Sequence, residues 1–249
     1  MKILAIHAHP DDIEFLCAGT LALAKRQGHE IVLATMTPGD KGAMETNAQQ
    51  TATIRTNEAQ KAAQFLGGNY TCLGFADFEI FDTDAARRRV TEYIRSVAPD
   101  LILTASPNDY HADHEATGTL VRHAGFVVGL PNYHTGSAKP LQAVPAVYYM
   151  DPAEGKDIYG TPVRPEFAVD VSSVMDTKRE MLACHASQRE WLRDYHGMDN
   201  YINSMEEWAR QRGREYGLGY AEGFRQHKGH AYPQENRLEQ CLPEGSIHF

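Results

Sequence analysis

The chain has 249 residues, 42% of them hydrophobic and 23% charged, which supports a packed core and argues against disorder. Its formal net charge of -9 leaves no basic stripe for a nucleic-acid groove. No apolar run approaches the roughly 18 residues of a membrane span, and the start is a charged strand rather than a signal peptide. Cys17, Cys72, Cys184 and Cys241 are scattered without a CxxC pair, which reads as reduced thiols in a cytoplasmic protein.

Residues 2–6 (KILAI) are expected as a buried strand, and 13–27 (IEFLCAGTLALAKRQ) as a helix ended by Gly28. Residues 30–36 (EIVLATM) follow as a second strand, then a helix over about 50–66 stopped by Gly67-Gly68. Tyr70 to Leu73 make a short third strand, 83–97 a helix ending ahead of Pro99, and 100–105 (DLILTA) a fourth strand. This βαβαβαβ order implies right-handed crossovers and an α/β class, a Rossmann-like, mostly parallel sheet flanked by helices. Beyond residue 130, LPNYHTGSAKPLQAVP is rich in Pro, Gly and polar residues and reads as a long functional loop, expected to help select the group attached to the substrate. Val144 to Met150 and Phe167 to Val171 read as strands, and Ser172 or Ser173 as the cap of a helix through about Gln188. Residues 189–217 are charged and aromatic with helical spacing, and the tail from Pro233 is irregular. No repeat interrupts the chain, so residues 1–249 read as one domain with a small C-terminal elaboration.

The stretch HAHPDDIEF puts His7, His9, Asp11, Asp12 and Glu14 within eight positions, directly after the first strand. In an open α/β sheet, ligands bind beyond the carboxyl ends of the strands. Pro10 fixes a turn there and restricts His9 to extended geometry. Asp is among the commonest helix caps, but a cap alone does not explain His9 and Asp12 three residues apart, able to meet one metal ion. PNDYHADH (107–114) follows the fourth strand and so lies at an equivalent strand end. Two such clusters can converge, with His9, Asp12 and His114 supplying two nitrogens and one oxygen. Three protein ligands with an open position describe a catalytic zinc site, while the same set also holds Fe(II).

AHPDD near the start, a glycine-containing helix after it and the later HxDH resemble the LmbE/PIG-L family of zinc-dependent de-N-acetylases. TIRTNEAQKAAQFLG (53–67) and GLGYAEGF (217–224) resemble the branch acting on N-acetylglucosamine derivatives in the bacillithiol pathway. The resemblance implies one zinc per chain on His9, Asp12 and His114, an amino-sugar substrate and a homo-oligomer, a hexamer or smaller. It also implies a metal-bound water as nucleophile, Asp11 as general base and His111 as stabiliser of the oxyanion. Asp113 would orient His111 or a ligand histidine, or else cap the helix beginning at His114. The resemblance further places Arg55 and Asp77 on the substrate, where the alternative for Arg55 is a solvated surface role.

Glu14 fits the HPDDxE form and is expected behind the ligands or in helix-start electrostatics. His7 reads as a packed or hydrogen-bonded histidine rather than a fourth ligand. His123, His185, His196, His227 and His230 have no partner spacing, and Trp191, Tyr195, Tyr201 and Trp208 read as packing for the C-terminal helices. Rival functions are a phosphoesterase, which usually needs two metals and more carboxylates, and a non-catalytic sugar-binding protein, which would not need Asp11 and His111. A nucleotide-binding Rossmann protein lacks its GxGxxG fingerprint here.

Overall fold

The computed structural model describes residues 1–189 and 201–249. Eight strands form one sheet: β1 (Lys2–His7), β2 (Glu30–Thr35), β3 (Asn69–Cys72), β4 (Leu101–Thr104), β5 (Ala146–Met150), β6 (Phe167–Asp170), β7 (Ala221–Gln226) and β8 (Ile247–His248). Their order is β3-β2-β1-β4-β5-β7-β6-β8. The first five run parallel, and β7, β6 and β8 continue the sheet in antiparallel pairing. The α/β class and the parallel core match the sequence expectation.

Along β1 the side chains alternate between two cores. Ile3 and Ala5 pack with Leu21, Ala62 and Met181, whereas Leu4 and Ile6 pack with Val90, Ile94 and Leu120. A strand buried on both faces must be apolar throughout, which is why KILAI shows no polar alternation. The helices behind those residues are α2 (Ala18–Arg26), α3 (Ala48–Gln64) and α6 (Met175–Ala183) on one face, and α4 (Asp84–Val97) and α5 (Ala112–Val127) on the other. A short α1 (Asp12–Leu16) leads into α2, and α7 (Tyr201–Glu215) packs against β7.

Several sequence expectations need correction. The helix expected over 13–27 is broken at Cys17, whose φ of -143° is not helical. Neither Ser172 nor Ser173 caps α6: they lie in a 3-10 turn (Ser172–Val174), and the Ser172 hydroxyl instead accepts from the Tyr220 amide. Residues 221–226, to which the sequence reading gave no element, form β7. The 130–145 loop follows α5 and precedes parallel β5, so it lies at the amino edge of the sheet, away from both motif clusters. It is held there by Arg95, which donates to the Leu130 and Tyr133 carbonyls, and by Glu92, which accepts from the Ser137 and Ala138 amides. Trp191, Tyr195 and His196 lie outside the described residues.

The C-terminal strands are tied to the amino-terminal helices by one buried carboxylate. Glu222 on β7 accepts from the Gly19 and Thr20 amides at 2.9 and 2.7 Å, from the Thr20 hydroxyl, and pairs with the buried Lys178 ammonium. Gly19 is required by this approach, since a Cβ there would sit 2.7 Å from Val171. Removing one partner of a buried ion pair leaves an uncompensated charge. Glu222→Gln should therefore cost about 3–5 kcal/mol in urea unfolding, and a loss below about 1 kcal/mol would contradict the assignment.

Candidate metal centre and active site

The sheet reverses its strand order between β1 and β4, which makes a crevice at their carboxyl ends. Both motif clusters open into it. His7 closes β1, and His9 follows in the turn that Pro10 shapes. Asp11 sits at φ 99°, in the left-handed region that Asp tolerates better than most residues. This turn aims Asp11 and Asp12 apart although they are adjacent in sequence.

His9 Nδ1 lies 3.3 Å from Asp12 Oδ2 and 3.3 Å from His114 Nε2, and His114 Nε2 lies 3.4 Å from Asp12 Oδ1. A tetrahedral zinc bound at about 2.0–2.1 Å has donor–donor edges of about 3.3–3.4 Å. The two imidazole nitrogens are thus one such edge apart, and each lies a similar distance from one oxygen of the Asp12 carboxylate, a grouping that fits a single divalent ion. His7 could complete a different set with Asp12 and His114. Its Nδ1 is only 2.6 Å from Asp12 Oδ2, a hydrogen-bond distance too short for two ligands of one ion. His7 is thus a buried hydrogen-bonded histidine, as its place on the strand suggested.

The far side of each imidazole meets a carboxylate. His9 Nε2 lies 3.0 Å from Asp77 Oδ1 and 3.3 Å from Asp113 Oδ2, and His114 Nδ1 lies 3.0 Å from Asp109 Oδ1. Such partners orient metal-binding histidines and raise their basicity. Burial opposes charge on His9, but hydrogen bonds to Asp113, Asp12 and Asp77 raise its pKa well above the ordinary range. Burial likewise opposes charge on His114, and the Asp12 charge and Asp109 outweigh it to raise His114 to about 9. Burial disfavours the Asp12 carboxylate, yet His7 and His114 hold it well below the usual carboxylate range. The carboxylates around His9 and His114 thus favour positive charge between these groups.

Asp11 is buried beside this triangle. Tyr201 on α7 donates its hydroxyl to Asp11 Oδ2 at 2.6 Å, and Arg55 Nη2 lies 3.6 Å from Oδ1. Burial raises the Asp11 pKa; Arg55 opposes this and Asp12 adds to it. Arg55 reaches the site from α3 but is buried, donating to the Gly39 carbonyl at 3.0 Å and the Pro10 carbonyl at 2.8 Å. Gly39 leaves room for it, since a Cβ there would meet Nη1 at 2.3 Å. The surface alternative for Arg55 is excluded, and its guanidinium braces the turn that carries Asp11.

His111, not Asp113, is the N-cap of α5: its Nδ1 accepts from the Asp113 amide at 3.2 Å. In the neutral ring the proton is therefore on Nε2. Burial lowers the His111 pKa, helped by the neighbouring His9 and His114. The Asp113 carboxylate turns to His9 and accepts from the Phe78 amide at 2.7 Å. Asp77, expected on sugar hydroxyls, is buried against His9 and accepts from the Lys41 amide. Glu14 is also buried, 3.4 Å from His185 Nε2, a pairing that spacing alone did not reveal. Asp109 and Tyr201 were missed as well. Asp109 had a signal in its position five residues before His114, whereas Tyr201 had none.

The GlcNAc-PI de-N-acetylase (PIG-L) family model matches residues 4–125, a span carrying both motif clusters. Over that span the chain is similar to the PIG-L family. The chain is similar to the diacetylchitobiose deacetylase of Thermococcus kodakarensis, with 28% identity over 90% of this chain and 82% of the relative. It is also similar to the 4-oxalmesaconate hydratase of Pseudomonas putida, with 25% identity over 78% of this chain and 76% of that protein. The solved N,N'-diacetylchitobiose deacetylase of Pyrococcus horikoshii shares the fold at TM-score 0.77 and 24% identity, over 94% of this chain and 87% of that one. Among the described residues no helix is long and apolar enough to cross a membrane.

The site sets a pH dependence for the metal-free protein. His114 is raised from 6.5 to about 9, so its stabilising contribution is full below pH 6.5 and is lost as pH rises through about 9. Bound metal needs neutral imidazoles, so the dependence should reverse across that window when zinc is added. Thermal melting from pH 6 to 9.5, with chelator and with Zn²⁺, measures both arms. Curves that coincide would contradict a cation site here.

Proposed function

We propose that this chain is a PIG-L family metal-dependent hydrolase that removes the acetyl group from an N-acetylglucosamine derivative. The observation that carries the reading is the triangle of His9, Asp12 and His114 donors with the buried Asp11 carboxylate alongside it. The similarity to deacetylases supports the amide as the bond cleaved.

His9, Asp12 and His114 would hold one zinc ion, or ferrous iron in the same donor set. The ion would supply Lewis acidity, lowering the pKa of water toward about 7 and polarising the acetamide carbonyl. Asp11 takes the proton from the attacking water, and its raised pKa makes that transfer easier. Tyr201 occupies Oδ2 and fixes the carboxylate, leaving Oδ1 to carry the proton. His111 Nε2–H donates to the carbonyl oxygen as negative charge develops there, a contribution of about 2.7–4 kcal/mol for one well-placed donor. Asp11 then returns its proton to the amide nitrogen, the C–N bond breaks, and acetate and a free amine leave. Asp77 and Asp113 keep His9 in position, and Arg55 keeps Asp11 facing the reacting water.

A hydratase reading is favoured by one observation, the similarity to the Pseudomonas hydratase. Adding water to a conjugated double bond also needs a base beside an activated water, so the same residues could serve it.

Amine release from a panel of N-acetylglucosamine conjugates separates the two. The proposal predicts activity that disappears with chelator, returns with Zn²⁺, and falls about 10²–10⁴-fold in Asp11→Asn that still binds metal. No amine from any conjugate, by protein carrying one metal per chain, would overturn it. Loss of conjugated absorbance from an unsaturated dicarboxylate would then favour the hydratase.

A further inference from the structure

Two exposed aromatic rings stand against the site histidines without a part in the chemistry above. Phe78, in the loop after β3, is 59% exposed, and Tyr110, in the loop after β4, is 64% exposed. Neither belongs to either hydrophobic core. The Phe78 ring lies 5.1 Å from that of His111 at an interplanar angle of 31°. The Tyr110 ring lies 5.7 Å from both His111 and His114, edge-on at 86° and 79°. Two loops thus deliver aromatic surface to the one imidazole left free to meet a substrate carbonyl.

The backbone that carries each ring is tied to the site. The Phe78 amide donates to Asp113, and Lys41 Nζ donates to the preceding Asp77 carbonyl at 2.6 Å. Tyr110 stands in the chain between Asp109, which meets His114, and His111, which caps α5. Phe78 also has φ 61°, in the left-handed region that bulky residues rarely adopt. Such strain persists where several contacts enforce it, and it gathers at ligand sites. Here one backbone conformation both completes the Asp113 shell and keeps the ring on His111.

We infer that Phe78 and Tyr110 seat the sugar ring of the substrate, so that its acetamido arm reaches His111 and Asp11. The inference rests on the amino-sugar reading for its ligand class. A pyranose offers a flat face of C–H groups that packs on aromatic rings, and rings already resting on the site histidines lose less entropy when they receive it. A phosphate or a flexible chain gains little from the same surface.

Titration of N-acetylglucosamine into the wild type, Phe78→Ala, Tyr110→Ala and Phe81→Ala, followed by NMR, tests this directly. Phe81 is 63% exposed in the same loop. Among the described residues it makes no ring contact with the site histidines, so Phe81→Ala serves as control. Phe78→Ala and Tyr110→Ala should each weaken binding about tenfold, with Phe81→Ala at the wild-type value. The ratio of kcat/KM for N-acetylglucosamine to that for N-methylacetamide should fall by a similar factor. Phe78→Gly relaxes the strained φ, so its Tm should match or exceed the wild type while its sugar affinity still falls. That pattern separates lost stacking from misfolding.

Sugar affinity unchanged in Phe78→Ala and Tyr110→Ala overturns the inference, whether or not their oligomeric mass shifts. So does a wild type that fails to bind the sugar at high millimolar concentration. Ring-dependent sugar binding without amine release from any conjugate would keep the inference and remove the deacetylase reading. Amine release with no preference for ring substrates would do the reverse.

Discussion

Two imidazole nitrogens 3.3 Å apart, each within 3.4 Å of an oxygen of the one Asp12 carboxylate, are the constraint from which the rest of the site follows. Without a cation the arrangement brings a carboxylate and two imidazoles together with Asp77, Asp109 and Asp113 behind them. That much negative charge in a buried pocket is stable only if positive charge accompanies it. The upward displacement of His9 and His114 expresses the same demand through protons. The carboxylates behind the histidines therefore do more than orient rings, because they set the charge that the centre must hold.

The fold supplies this constraint at one place. β1 and β4 are neighbours whose crossovers leave in opposite directions, so their carboxyl ends face an open crevice. The apolar residues of β1 and β4 anchor that edge in two cores, and the turns that follow carry the polar clusters. Asp11 shows how closely chemistry and backbone are joined. Its positive φ separates it from Asp12, Arg55 braces the turn through the Pro10 carbonyl, and Tyr201 arrives from α7 to hold the carboxylate. The C-terminal part of the chain thus contributes to the base through Tyr201 and locks onto α2 through Glu222.

The parallel sheet was legible because uninterrupted apolar runs alternate with amphipathic segments ending in Gly or Pro. The triangle was legible because HxxD and HxDH each sit where a strand must end. What was not legible depends on separation along the chain. Tyr201 meets Asp11 across 190 residues and His185 meets Glu14 across 171, with no local pattern to announce either. Resemblance brought Arg55 and Asp77 to the site, but not their orientation: Arg55 faces backbone carbonyls and Asp77 faces His9. The break at Cys17 was hidden because IEFLCAGTLALAKRQ has good helix formers on both sides of it. The 130–145 loop was misplaced because its composition resembles a substrate loop, whereas the direction of α5 puts it at the opposite edge.

The most direct test of the central claim is X-ray absorption at the zinc edge of protein loaded with one equivalent of Zn²⁺, compared with Asp12→Ala and His114→Ala. The account predicts a shell of nitrogen and oxygen only, at about 2.0–2.1 Å, with the outer scattering of two imidazoles. It further predicts that each variant loses the bound ion. Sulfur in the shell, or a wild-type spectrum retained in both variants, would place the metal elsewhere and contradict the account.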